Sequence, residues 1–187
     1  MFKALFKKNP ALEAGRALYA AAVEQARAER LYTDAGVPDT VEGRFEMVAL
    51  HVYLLMRRLK ADDAKEAAVS KDVSQSLLDA MFQNMDDSLR ELGVGDLVVG
   101  KKIRKLAESF YGRIGAYETA FGGDKPGVAL AAAMARNIFE SGDSEVAQKL
   151  AIYVRNADNV LQSQSPQRIA GGIVSFPAPE FHEAASE

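Results

Sequence analysis

The chain has 187 residues, of which 48% are hydrophobic and 26% charged, and it contains no cysteine. These values are ordinary for one globular domain with a substantial core, and they exclude disulfides, thiol catalysis and thiolate metal sites. The formal net charge of -3 argues against a dedicated nucleic-acid binder, which needs an excess of positive charge to neutralise phosphates.

The chain begins with a basic segment over residues 1–9, MFKALFKKN. Its apolar run is too short for a signal peptide, and the segment lacks the Arg/Ser-rich length of a transit peptide. The later apolar stretches fall well short of the roughly 20 residues that span a bilayer, so we expect a cytoplasmic, bacterial protein. Five residues of the segment are candidates for a weak contact with an anionic membrane surface: Phe2, Lys3, Phe6, Lys7 and Lys8.

Helical periodicity begins at Pro10, a residue suited to the first turn of a helix, and continues to about Arg30. Signals for β-strands are nearly absent throughout the chain. The pattern predicts an alanine-rich first helix with these residues on one side: Leu12, Tyr19, Val23 and Ala26.

After a turn at Gly36-Val37-Pro38, a second helix is predicted over about 39–59. Asp39 and Glu42 have the spacing of an N-terminal capping box. Its apolar positions alternate four and three residues apart, which predicts burial against other helices: Val41, Phe45, Val48, Val52, Leu55 and Leu59.

A third helix is predicted over about 71–92, ended by Gly93 in a left-handed cap. Asp96 is expected to cap a fourth helix that runs to about Phe121. The third helix should face inward with Val73, Leu77, Met81, Met85, Leu89 and Leu92, and the fourth with Val99, Ile103, Leu106, Phe110, Ile114, Tyr117 and Phe121.

A turn at Gly122-Gly123 precedes a short predicted helix over 128–140, and a last helix follows Gly142-Asp143 with Val146, Leu150 and Tyr153 in register. The sequence therefore predicts an all-α, single-domain bundle of about six helices over residues 10–162. From Ser163 periodicity disappears, which predicts a flexible tail over 163–187. Four apolar residues of the tail could still dock on the bundle: Ile173, Val174, Phe176 and Phe181.

The string from Gly95 to Lys101 fits the GxxxxGK part of a phosphate-binding loop. However, Lys102 stands where a magnesium-binding Ser/Thr is needed, and no strand is predicted before the glycines. The pattern is therefore interpreted as a helix boundary. Asp86 and Asp87 could hold magnesium in a helical enzyme, but Asp86 and Arg90 form an i,i+4 pair, which favours a charged helix flank.

Arg44, His51 and Arg58 recur every seven residues beside the apolar stripe of the second helix. This spacing is compatible with a polar contact face. A packed histidine that is hydrogen-bonded to the backbone fits equally well. His182 is the only other histidine, so a zinc site is not indicated.

A basic stripe lies on the fourth helix: Lys101, Lys102, Arg104 and Lys105. Arg113 follows two turns later, and Glu108 is the one acid between them. Positive charge concentrated against the sign of the whole chain suits ribosomal RNA, anionic lipid or an acidic protein face, and a solvated helix flank is the alternative. Nearby Phe110 and Tyr117 belong to the apolar stripe, whereas Tyr111 lies off it and is a candidate contact residue.

Two ordered strings carry a family resemblance. Residues 38–46 read PDTVEGRFE and are followed by Leu50-His51, and residues 89–96 read LRELGVGD and are followed by FYGR over 110–113. With their spacing, they resemble the ubiquinol–cytochrome c chaperone family over about 17–161. The residues in the matching motifs are Asp39, Arg44, Phe45, Glu46, His51, Asp86, Arg90, Glu91, Asp96, Lys101, Phe110, Tyr111 and Arg113.

The resemblance implies an all-α, non-enzymatic assembly chaperone of the cytochrome bc1 complex, with no catalytic residue and no cofactor. It implies binding of newly made cytochrome b and of assembly intermediates at the cytoplasmic face of the inner membrane. A ribosome contact or a small partner subunit is also compatible with it. No DNA partner is expected, and a mitochondrial matrix location is less expected than a bacterial one. A lipid- or quinone-binding helical carrier is the alternative function, because helix bundles readily enclose apolar ligands. The expected partner-binding residues are Arg44, His51, Asp86, Arg90, Lys101, Lys102, Arg104, Lys105, Tyr111 and Arg113.

Overall fold

The computed structural model describes residues 9–61, 67–139 and 144–181. In these ranges the chain forms α-helices and no strand, which confirms the all-α prediction. Six helices are long, as predicted, and α2 and α8 are short additions. The helices are α1 (Pro10–Ala26), α2 (Arg30–Thr33), α3 (Val41–Lys60), α4 (Ala67–Glu91), α5 (Asp96–Gly122), α6 (Pro126–Asn137), α7 (Ser144–Ser163) and α8 (Pro166–Ala170).

The membrane-contact candidates Phe2, Lys3, Phe6, Lys7 and Lys8 lie outside the described residues, as does His182. That part of the sequence interpretation therefore stays a prediction. Of the helices that the structure describes, none combines the length and the apolar character needed to cross a bilayer.

Helix α3 begins differently from the prediction. Its cap is Thr40, whose side-chain oxygen accepts a hydrogen bond from the Gly43 amide at 3.1 Å. Asp39 instead accepts a hydrogen bond from the Arg44 guanidinium at 2.6 Å, which lowers the pKa of the Asp39 carboxyl. The capping role predicted for Asp39 was wrong because the hydroxyl one residue later is already placed at the helix start.

The turn between α4 and α5 forms as predicted at Gly93, which has a φ of +80°. The Gly93 amide donates to Arg90 O at 2.9 Å and the Val94 amide to Leu89 O at 3.0 Å, the two bonds of a Schellman cap. Gly95, and not Asp96, is the N-cap of α5, since Asp96 is already helical. Residues 96–101 thus lie in the first turns of a helix, which confirms the helix-boundary interpretation of the glycine motif.

Helix α1 packs on α4 through small residues. A Cβ on Gly15 would lie 2.5 Å from the Ser76 Cβ, so the two backbones are too close for any side chain at this position. The buried face of α1 consists of Ala14, Gly15, Leu18, Ala22 and Ala26. Of the four residues predicted to share one side of α1, only Ala26 belongs to this buried face, because close approach favours small residues over large ones.

Helix α3 lies at the centre of the bundle, and Met47, Leu50, Leu54 and Leu55 are fully buried. Helix α7 packs against α6 and α3. The buried positions of these helices form one continuous apolar core with α1, α4 and α5.

The chain after α7 forms α8 and then an extended segment to Phe181. Gln164 holds this segment by accepting from the Ser175 amide at 2.9 Å and donating to Ser175 O at 2.7 Å. The docking predicted for Val174, Phe176 and Phe181 is confirmed, whereas Ile173 is 55% exposed. Residues 182–187 lie outside the described ranges, and flexibility of the tail stays a prediction.

Candidate functional site

The apolar stripes of four helices converge on one surface depression and leave it open. Its volume is about 290 Å³, and it lies between the α1–α3 side of the bundle and the α4–α5 hairpin. We refer to it as the groove. Its apolar walls are Tyr19, Val23, Tyr32, Val41, Phe45, Val48, Met85, Leu89, Leu92 and Leu106.

The two ends of the groove wall are strongly exposed. Val41, the first residue of α3, is 76% exposed, and Leu92, just after α4, is 75% exposed. Phe45, Met85 and the other wall residues are partly buried. The stripe predictions were therefore wrong at Val41 and Leu92: each stripe continues past the point where a neighbouring helix covers it.

Three polar side chains beside the groove already have partners. Tyr19 donates a hydrogen bond to Asn84 Oδ1 at 2.9 Å, and Tyr32 donates to Ala26 O at 2.7 Å. Arg44 is bound to Asp39 and lies 6.0 Å from the centroid of the Tyr32 ring. Covering these three side chains with an apolar ligand would therefore leave none of them without a partner, a state that would be costly.

A second depression of about 630 Å³ adjoins the groove and shares Val41, Phe45 and Leu106 with it. Its floor contains an ion pair between Arg113 on α5 and the buried Glu46 on α3, with N–O distances of 2.6 and 3.0 Å. The hydrogen bonds to Glu46 raise the pKa of Arg113. Arg113 thus fixes α5 against α3, and most of its side chain is already committed to that contact.

The residues Asp86 and Arg90 form part of the joint between α4 and α5. The Arg90 guanidinium pairs with Asp86 in the same helix and with Asp96 at the start of α5. Asp87 accepts a hydrogen bond from Gln83 instead. In the part of the chain that the structure describes, no group of three His, Asp or Glu side chains is placed to hold a metal ion.

The basic stripe is exposed to solvent along its whole length. Lys101, Lys102, Arg104 and Lys105 are all exposed, and no carboxylate of the described residues lies within ion-pair distance of them. Tyr111 is 55% exposed and packs edge-on against the buried Phe110. The core positions predicted for Phe110 and Tyr117 are confirmed.

His51 is a core residue. Its Nδ1–H donates to Met47 O at 2.7 Å, and its Nε2 accepts from the Tyr153 hydroxyl at 2.8 Å. Burial lowers the pKa of His51 to about 4, so the ring is neutral at pH 7. Of the two interpretations of its spacing, the packed and hydrogen-bonded histidine is the one that the structure shows, and the expectation that His51 contacts a partner directly was wrong.

Arg58 is also buried, and it donates to Leu161 O at 3.1 Å and Gln164 O at 3.0 Å. The three residues spaced by seven therefore separate, with Arg44 alone at the surface. The cause is geometric, since seven residues fall about 20° short of two full helical turns and drift across the face of α3.

The groove itself was not predicted from the sequence. A usable signal was present, because the apolar stripes of α3 and α4 extend to Val41 and Leu92, directly beside the turns at Pro38 and Gly93. An apolar residue at either end of a helix has no further helical turn beyond it to cover its side chain. Such residues are candidates for an exposed apolar surface.

The described residues thus form an all-α bundle with an open apolar groove between its helices. A profile described as ubiquinol-cytochrome C chaperone matches residues 33–176. The chain belongs to this family. The matched range contains α3, α4 and α5, which supply most of the groove walls.

Similar proteins support the assignment. The crystal structure of the Cbp3 homolog from Brucella abortus has 37% sequence identity, covers 90% of this chain and 92% of its own, and superposes with a TM-score of 0.78. Ubiquinol-cytochrome c reductase complex assembly factor 1 from Mus musculus is 26% identical over 150 residues, 79% of this chain and 49% of its own length. The Xenopus laevis assembly factor is 24% identical over 140 residues, 74% of this chain and 67% of its own. The chain thus spans about half the length of the mouse relative.

Proposed function

We propose that this protein is a non-enzymatic assembly chaperone that binds newly made cytochrome b and promotes assembly of the cytochrome bc1 complex. The observation that supports this proposal is the convergence of four apolar stripes on one open groove. It occurs in a chain of the ubiquinol–cytochrome c chaperone family. A membrane protein that is not yet assembled exposes apolar helix faces, and a protein that holds it needs an apolar surface of its own.

The groove suits a helix of the client. Helix-in-groove recognition places apolar side chains spaced three and four residues apart into a depression between helices. The exposed rims at Val41 and Leu92 extend the contact beyond the 290 Å³ floor. Because the driving force is burial of apolar area, binding and release require no nucleotide.

Charge reversal at the groove rims tests this function. Each variant is expressed in a strain that lacks the wild-type gene. We expect Val41→Glu and Leu92→Glu to reduce the amount of assembled bc1 complex and the amount of cytochrome b detected by absorption spectroscopy. A buried carboxylate in an apolar contact costs about 1–3 kcal/mol or more, which corresponds to at least about a fivefold loss of client binding. Helix content, measured by circular dichroism, should not change, since both positions are about three-quarters exposed.

The chain offers matched controls in Val128→Glu and Ile152→Glu. These residues are 69% and 68% exposed and lie on α6 and α7, outside the groove. They should leave assembly unchanged. Normal bc1 levels in the deletion strain, or equal defects in the groove variants and the controls, would contradict the proposal.

Further partners belong to the same proposal. A ribosome contact or a small partner subunit would bring the chaperone to cytochrome b during its synthesis, and bc1 assembly intermediates would receive the client. The exposed side chains available for such contacts include Arg44 and Tyr111. Crosslinking in the native cell, followed by identification of the attached proteins, distinguishes these partners.

An apolar-ligand carrier is the second candidate function. A cavity of about 480 Å³ between α3, α4 and α5 is lined by Met56, Leu59, Leu78 and Ile114. The buried side chain of Tyr53 also lines it. A stoichiometric isoprenoid or lipid, detected by mass spectrometry of the purified protein, would favour the carrier over the chaperone.

A further inference from the structure

The end of the α4–α5 hairpin exposes three aliphatic side chains around one turn. Leu97 is 92% exposed, Leu92 75% and Val98 47%, and the glycine-containing turn over 93–95 lies between them. We refer to these three residues as the hairpin tip. A cluster of strongly exposed aliphatic residues has no role in the stability of the bundle, and such clusters mark contact surfaces.

The basic stripe stands directly behind the hairpin tip. Leu97, Lys101 and Lys105 are spaced by four residues on α5 and therefore share one face, with Arg104 beside them. Val98 and Lys102 form a parallel i,i+4 pair. The apolar end and the first lysines are separated by about 6 Å along the helix axis, one turn.

The local charge favours an anionic partner. Between Arg90 and Glu108 the chain has five cations and three carboxylates, although its net charge is -3 overall. Asp96 and Asp86 are bound to Arg90, so the carboxylates outside that pairing are Glu91 at the end of α4 and Glu108 one turn beyond Lys105. All four residues of the basic stripe remain unpaired among the described residues.

We propose that the hairpin tip and the basic stripe form a membrane-contact element that binds the surface of an anionic lipid bilayer. Leu92, Leu97 and Val98 enter the interface between headgroups and acyl chains, and the lysines and Arg104 contact lipid phosphates one turn above them. This arrangement of an apolar end backed by lysines is the one that stabilises peripheral membrane segments. RNA also binds basic helices, but three aliphatic side chains add nothing to a phosphate backbone contact.

This element places the groove at the membrane. Leu92 belongs to both surfaces, so the groove opens next to the hairpin tip. An apolar segment leaving the bilayer would meet the groove at that end. The membrane contact does not depend on the identity of any client, and it is measured without one.

Vesicle sedimentation of the full chain tests the proposal. Wild-type protein should bind vesicles of phosphatidylcholine mixed with phosphatidylglycerol, bind phosphatidylcholine alone at least about tenfold more weakly, and dissociate as salt is raised. The double variant Leu97→Ser, Val98→Ser and the triple variant Lys101→Gln, Lys102→Gln, Lys105→Gln should each lose about tenfold or more in binding to the mixed vesicles. A control pair, Val128→Ser with Ile152→Ser, removes equally exposed apolar side chains elsewhere and should bind like wild type.

Four results would overturn the proposal. The first is no binding of wild type to the mixed vesicles, and the second is an equal loss in the control pair. The third is a loss in the lysine variant alone, which would indicate a general polyanion surface such as one for RNA. The fourth is a loss only on substitution of Phe2 and Phe6, which would assign the membrane contact to the N-terminal segment.

Discussion

The two ends of the same apolar stripes behave oppositely. In α3, Leu55 and Leu59 are at most 3% exposed, whereas Val41 at the other end is 76% exposed. Along the stripe of α4, Leu77 is fully buried, and Leu92, just after the helix, is 75% exposed. We refer to the buried end, where α3 packs against both α4 and α7, as the closed end, and the groove forms the open end.

Polar contacts join α3 to α5 and α7 at the closed end. Arg57 of α3 pairs with Glu118 of α5 at 3.3 Å and Asp158 of α7 at 3.2 Å, and it lies 4.2 Å from the centroid of the Phe121 ring. His51 joins α3 to Tyr153 of α7. The contrast teaches that hydrophobic periodicity identifies apolar faces, while the placement of neighbouring helices decides whether a face becomes core or binding surface.

The largest effect is expected from truncation at the closed end. Leu55→Ala should lower the free energy of unfolding by about 2–5 kcal/mol, because a fully buried leucine leaves a cavity that the packed core only partly fills. Urea unfolding followed by circular dichroism measures this change. Leu55→Met, which conserves volume, should cost less than about 1.5 kcal/mol.

A loss below about 1 kcal/mol for Leu55→Ala would contradict the closed-end assignment. It would show that the α3 stripe is open to solvent at both ends.

A smaller effect is expected from pH at the same end. His51 has a pKa lowered from 6.5 to about 4 by burial, so the folded protein holds it neutral while the unfolded chain takes up a proton below pH 6.5. Stability from this group is therefore present above pH 6.5 and is lost as pH falls toward 4. The free energy of unfolding should decrease by about 2 kcal/mol between pH 7 and pH 5 from His51 alone.

The variant His51→Gln isolates this contribution. Glutamine does not titrate, so the difference in unfolding free energy between wild type and variant should shrink as pH falls from 7 to 5. A difference independent of pH would show that His51 is accessible to solvent in the folded protein. The hydrogen bonds to Met47 and Tyr153 would then not describe its environment in solution.

Much of the fold was predictable because its signals are local. Pro10 begins α1, Gly93 ends the α4 segment with a positive φ, and the 3.6-residue periodicity indicates the long helices. The inward face of α1 was not predictable in this way. It depends on the close approach of Gly15 to Ser76, a contact between residues 61 positions apart.

The surface was predictable only in part. The exposure of Tyr111 and the basic stripe follows from their positions off the apolar faces. The burial of His51 does not, because its partner Tyr153 lies on α7 and its ring neighbour Phe176 lies beyond α8. The groove also requires four helices in their final arrangement, which no single periodic pattern contains.

The smallest effect on stability is expected at the open end. Val41→Ser and Leu92→Ser should change the free energy of unfolding by no more than about 0.5 kcal/mol, since three-quarters of each side chain already faces water. Both should nevertheless reduce the fluorescence of an apolar dye bound to the native protein, because they remove aliphatic area from the groove. The control Val128→Ser removes similar area outside the groove. A stability loss above about 1 kcal/mol for Leu92→Ser would mean that the stripe of α4 is covered in solution up to its last turn, and the open end would then be a second closed end.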